Sequence, residues 1–92
     1  MNFEWEPEKE QSNQRKHGVS FLEASTVFAD PMELTIYDPD HSEGEHRFLS
    51  VDQSSSGRML VVSYTEREEN RIRIINARPA TAIERKRYES ES

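Results

Sequence analysis

The sequence has no cysteine, no apolar run long enough to cross a membrane, no signal-peptide pattern at its start and no internal repeat. Each absence removes a class of protein. Without cysteine there is neither a disulfide scaffold nor a thiolate metal site. Without a span or a leader, the expectation is a soluble intracellular protein. Without a repeat or linker, the 92 residues make one domain, with a small core and little stability to spare. Apolar residues are few, 33%, matched by 33% charged residues. They cluster in periodic segments, so the chain is expected to fold.

Charge is present but unevenly spread. Residues 1–57 carry four Lys/Arg against twelve Asp/Glu, or −8, and residues 58–92 carry eight against six, or +2, which together give −6. The total argues against nucleic acid as a partner. The distribution does not, because most basic residues lie in the last third. The acidic first half would equally suit a basic protein partner.

The stretch Met59 to Arg78 organises the chain. Two β-branched runs, Met59–Arg67 and Arg71–Arg78, flank the polar link Glu68–Asn70 and predict a β-hairpin. Period two puts Leu60, Val62, Tyr64 and Glu66 on one face of the first strand, and Ile72 and Ile74 on one face of the second. Before it, Phe3 and Trp5 alternate with polar residues in a short strand or arm. Pro7 opens a helix running to Lys16 or His17, and Gly18 is placed to end it in a left-handed conformation. This helix is almost without apolar residues, so something other than a broad core face must hold it. Ser20 and Glu23 form a capping box for a second helix, whose stripe Phe21, Ala24, Val27, Phe28 faces the core until Asp30 and Pro31 stop it. Strands follow at Met32–Tyr37, with Leu34 and Ile36 inward, and at Arg47–Val51. Thr81 and Glu84 cap a terminal helix from about Ala82 to Tyr88, and the residues after it are expected to fray. The class is α+β, an antiparallel meander with two N-terminal helices on one face.

Several groups of residues invite a chemical reading, and each has a plainer one. The loop from Asp38 to His46 resembles a calcium loop, but its glycine comes late and Leu49 stands where the closing glutamate belongs. Zinc through His41 and His46 lacks a helix to present both rings. A solvated turn is the better reading. His17, at a helix end, is either a cap or an acid–base group near neutral pH. Trp5 is either core or a platform for a base. Glu66, Arg67, Arg71, Arg73 and Arg78 form either cross-strand salt bridges or a phosphate-binding surface, since the guanidinium fork grips phosphate oxygens in pairs.

Taken in order, Phe3-Glu4-Trp5, Asn13 to Phe21 around Lys16-His17-Gly18-Val19, Val27 to Pro31, Asp38-Pro39-Asp40-His41-Ser42, Glu45, Arg47, Gly57-Arg58, Thr65-Glu66-Arg67, Arg71 to Ile75, Ala77-Arg78, Ala80-Thr81, Glu84-Arg85 and Tyr88 resemble the BrnT family of bacterial toxins. The resemblance spans nearly the whole chain. It implies a RelE-like fold, a small antiparallel sheet with two N-terminal helices packed on it and a short C-terminal helix. It implies a cytoplasmic ribonuclease that needs no metal or cofactor and inhibits translation. It also implies a BrnA-type antitoxin with a ribbon-helix-helix DNA-binding domain, in a two-plus-two complex that reaches operator DNA only through the antitoxin. By this resemblance His17, Glu66, Arg67 and Arg78 carry catalysis, and Trp5 bears on toxicity. Lys16, Arg71 and Arg73 join Trp5 as RNA contacts. Glu6 replaces an aspartate common in the family, and Pro79 replaces a common lysine. A protein with this sequence could alternatively be an inactive binding module, serving only as antitoxin partner and co-repressor.

Overall fold

Five strands form one sheet in the order β1-β5-β4-β3-β2. The computed structural model describes residues 1–29, 34–38 and 46–91, the side chains of Leu34, Asp38 and Glu91 excepted. The elements are β1 (Asn2–Glu4), α1 (Pro7–His17), α2 (Phe21–Ser25), a 3-10 turn (Thr26–Ala29), β2 (Leu34–Asp38), β3 (Arg47–Gln53), β4 (Met59–Arg67), β5 (Arg71–Pro79) and α3 (Ala82–Glu91). The class is α+β, as expected. The sheet is not wholly antiparallel, because β1 runs parallel to β5 along Asn2–Glu4. Met32, the helix stop at Asp30–Pro31, and the acidic loop with its candidate ligand His41 lie outside the described residues.

Helix ends follow the local chemistry. Gly18 takes φ 68°, and its N–H closes α1 on the Gln14 carbonyl. Thr81 and Glu84 complete a reciprocal capping box: the Thr81 N–H donates to Glu84 Oε1 at 2.9 Å, and the Glu84 N–H donates to Thr81 Oγ1 at 3.2 Å. The box at Ser20 is only half made. Glu23 N–H donates to Ser20 Oγ, but the Glu23 carboxylate turns away. It accepts from Ser54 and Ser56, each at 2.6 Å, and from Arg58 Nε at 3.1 Å. Arg58 first, then the two serines, hold its pKa down to about 2 against the opposing effect of burial. Glu23 thereby ties α2 to the β3–β4 turn.

The core lies between α2 with its 3-10 turn and one face of the sheet, here called the inner face. Val19, Phe21, Ala24, Val27, Leu60, Val62, Tyr64, Ile72, Ile74 and Ala77 are buried there, with Phe3, Trp5, Phe28 and Phe48 packed at its margin. Most of the expected core is therefore in place. The side chain of Leu34 lies outside what is described, and among the described residues Ile36 is the exception. It pairs with Leu49, in the cross-strand row of Ser63 and Asn76, so it lies on the outer face. There it helps line a hollow of about 160 Å3 with Leu49, Val51, Val61, Glu84 and Arg87, roofed by α3.

Helix α1 is held as its composition requires, by a polar anchor. Its one buried residue is Asn13. The Asn13 amide donates to the Ala77 carbonyl at 2.7 Å and the Val19 carbonyl at 2.9 Å, and its oxygen accepts from the Ala77 N–H at 3.1 Å. Beyond Arg73, β5 has no strand partner on that side among the described residues. Asn13 supplies at Ala77 the two bonds that a neighbouring strand would make, so the N–H and carbonyl of that buried residue are both satisfied.

Candidate functional site

The irregularity in the β4–β5 ladder sets which side chains meet. Ser63 pairs with Asn76 but Tyr64 with Ile74, so Ile75 is an extra residue in β5. A bulge of this kind moves every later residue to the opposite face. Ala77 thus continues the inner row begun by Ile72 and Ile74, and Asn76 and Arg78 fall on the outer face. Strict alternation from Ile72 would have put Arg78 in the core.

The outer face divides into two parts. At one end, Arg67 pairs with Arg71, and the next row reads Arg47, Thr65, Arg73. Glu4 of β1 accepts from Arg73 Nε at 2.9 Å and lies 3.3 Å from Arg71. Its pKa is lowered, first by the Arg73 hydrogen bond, with Arg71 and Arg67 adding their charges. Thr65, between Arg47 and Arg73, is 1% exposed, and its hydroxyl has no partner among the described residues. The other end carries the apolar hollow under α3. There Arg78 grips Glu84 through two bonds of 2.7 Å, which holds the Glu84 pKa down to about 2.

Arg67 and Arg78 therefore share a face but not a place. Arg78 stands opposite Val61, six positions along β4 from Arg67, or roughly 20 Å in extended chain. Glu66 is exposed and, by alternation with Leu60, Val62 and Tyr64, belongs to the inner face. It makes no ion pair among the described residues, so the cross-strand salt-bridge reading does not apply to Glu66. Glu4 and Glu84 take the arginines instead. His17 lies at the Arg78 end of the sheet: Asn13, one turn before it, binds Ala77, and Gly18, just after it, accepts from Arg58. Gly18 N–H, not the His17 ring, caps the helix. Trp5 meets Phe21 edge-on at 6.0 Å and closes the core margin. Lys16 lines a polar hollow of about 170 Å3 with Lys9, Ser12, Asn13, Ile75 and Asn76, where α1 meets β5.

The four residues assigned to catalysis are thus spread over both ends and both faces. The structure gathers a different set, Arg47, Arg67, Arg71 and Arg73 around Thr65 and Glu4. In the sequence Arg47 stands alone in an acidic stretch. Only the register of β3 on β4 reveals its neighbours.

Fold and surface together define a small α+β domain with one arginine-rich sheet end. A crystal structure of the ribonuclease toxin BrnT from Brucella abortus has this fold: the two align with TM-score 0.65 and 18% identity, over 88% of this chain and 97% of that one. Residues 5–84 match the family described as the ribonuclease toxin BrnT of type II toxin–antitoxin systems, and the chain belongs to that family. No curated protein matches it at a significant level.

Proposed function

We propose that this chain is an active, metal-independent endoribonuclease that inhibits translation by cutting RNA in the cytoplasm. A BrnA-type antitoxin with a ribbon-helix-helix domain neutralises it in a two-plus-two complex. The observation that carries this reading is the arginine cluster at one end of the outer face, in a chain of a ribonuclease-toxin family.

The chemistry asks for little machinery. The ribose 2′-oxygen attacks the adjacent phosphorus, the bond to the 5′-oxygen breaks, and one proton leaves the nucleophile while another reaches the leaving group. Negative charge grows on the phosphoryl oxygens, and donors already aimed there stabilise it. Arg67, Arg71 and Arg73, with Arg47 in the same row, are suited to that task because their forks match phosphate geometry. Of the proton-transfer candidates read from the sequence, Glu66 lies at this end, next to Arg67 in β4 but on the inner face. Lys16 and Lys9 extend the basic surface along β5. His17 and Arg78 stand apart, and Arg78 acts on phosphate only by giving up Glu84. With a net charge of −6, the toxin alone binds operator DNA feebly and reaches it through the antitoxin.

Expression without antitoxin is the test. Growth arrest is expected, as is cutting of a labelled RNA by the purified chain in the presence of a chelator. Absence of both would leave the second reading, an inactive antitoxin partner and co-repressor, which the scatter of His17, Glu66, Arg67 and Arg78 favours.

A further inference from the structure

A row of aromatic rings crosses the inner face and ends in the open. Phe3 meets Phe28 at 5.4 Å between centroids, Phe28 meets Tyr64 at 4.9 Å, and Tyr64 stacks on Phe48 at 5.7 Å. Phe48 meets Tyr37 at 5.7 Å, and Tyr37 meets His46 at 5.6 Å. Exposure changes along the row: Tyr64 is 3% exposed, whereas Tyr37 is 46% exposed. The Tyr37 hydroxyl and His46 Nδ1 are hydrogen-bonded at 3.1 Å. The outermost rings are therefore held in place while a large part of their surface stays wet.

We propose that Tyr37 and His46 form a stacking step for a base of single-stranded RNA. This rests on the ribonuclease reading and adds a binding site to it. Three observations favour RNA. His46 directly precedes Arg47, so the step on the inner face and the arginine cluster on the outer face meet at one rim of the sheet. Among the described side chains, the strands at that end carry Arg47, Arg67, Arg71 and Arg73 against Glu4 and Glu66, a balance that suits an anionic ligand. The rings are already ordered by Phe48 and by their mutual bond, so stacking a base costs little further freedom. Cross-strand packing accounts for Phe48 against Tyr64. It gives no reason for an exposed tyrosine to be held by an exposed histidine at the rim.

The test is binding of a short fluorescent oligonucleotide to the full chain, with 2′-deoxyribose throughout so that it cannot be cut. Tyr37→Ala is expected to weaken binding about tenfold, as loss of one stacked base does, and Tyr37→Phe to bind within about twofold of the parent. An oligonucleotide with abasic positions should bind the parent more weakly and show no difference between parent and Tyr37→Ala. The salt dependence should stay unchanged in Tyr37→Ala, because no phosphate contact is lost. Tyr37→Leu keeps an apolar contact with Phe48 and serves if the alanine variant unfolds. Parental binding by both Tyr37→Ala and His46→Ala overturns the step while leaving the ribonuclease reading standing. So does a loss confined to antitoxin binding, which would assign this rim to the protein partner. A parent chain that neither binds nor cuts RNA removes both.

Discussion

Arg73 and Arg78 sit on the same strand and the same face, and their surroundings differ in one respect that matters. Arg78 has a carboxylate to itself, gripped by both arms of its guanidinium. Arg73 shares Glu4 with Arg71, and Arg67 adds its charge to the same group. The first arrangement is nearly neutral and closed, clasping α3 to the sheet. In the second, Arg71 and Arg73 divide one carboxylate between them. An arginine's role on this face is therefore set by how many carboxylates stand within its reach, more than by its own position in the strand.

Substitutions can break that contrast. The largest effect is expected on RNA cutting. Arg67→Ala and Arg73→Ala should each lower the rate about 100-fold or more, the size of a lost transition-state contact, with little change in melting temperature. Arg73→Lys should rescue poorly, since lysine lacks the planar fork. Arg78→Ala should cost much less activity and show its loss in thermal melting. Cutting abolished by Arg78→Ala with unchanged melting would reverse the comparison and make Glu84 a stand-in for phosphate.

Stability comes next in size. Asn13→Ala strands the Ala77 N–H and two carbonyls, and a loss of about 3 kcal/mol in denaturant unfolding is expected. Glu84→Gln should cost about 1 kcal/mol, given the partial exposure of the pair. Glu4→Gln should leave melting unchanged and tighten binding of a non-cleavable oligonucleotide, because it removes the competitor for Arg71 and Arg73. Weaker binding in Glu4→Gln would mean that Glu4 positions the arginines for their ligand.

The smallest effect is on acid stability. Glu23 and Glu84 have folded pKa values of about 2, well below the ordinary 4.5. Their contribution is complete above pH 4.5 and is lost as pH falls towards 2, when the folded carboxylates take up protons. Melting temperature should therefore hold steady down to about pH 5 and then decline. The decline should be shallower in Glu84→Gln and in Glu23→Gln.

The parts legible in the sequence were those governed by neighbours. The β4–β5 hairpin, the Gly18 stop and the Thr81–Glu84 box depend on residues a few positions apart, and the structure has all three. The Ser20–Glu23 box was half right. Its pattern is identical, but Arg58 and two serines, thirty or more residues away, compete for the carboxylate. The bulge at Ile75 left no mark in a run of β-branched residues. Without it, the faces of Asn76, Ala77 and Arg78 cannot be assigned. The parallel placement of β1 was also hidden, because a three-residue strand takes its partner from the far end of the chain. Thus the arginines of the candidate site were found by type and by resemblance, whereas their grouping, and the separation of Arg78 and His17 from it, came from long-range register.

Asn13 has one more consequence. An open strand edge is an invitation to any extended peptide, from an unfolded neighbour to a binding partner. In this protein a single amide occupies that opening at Ala77, so a peptide can extend the sheet there only by first prising α1 from it. The side chain that fastens the helix is also a guard on the sheet. Its removal would expose the chain to mispairing with its own copies during synthesis, before any question of toxicity arises.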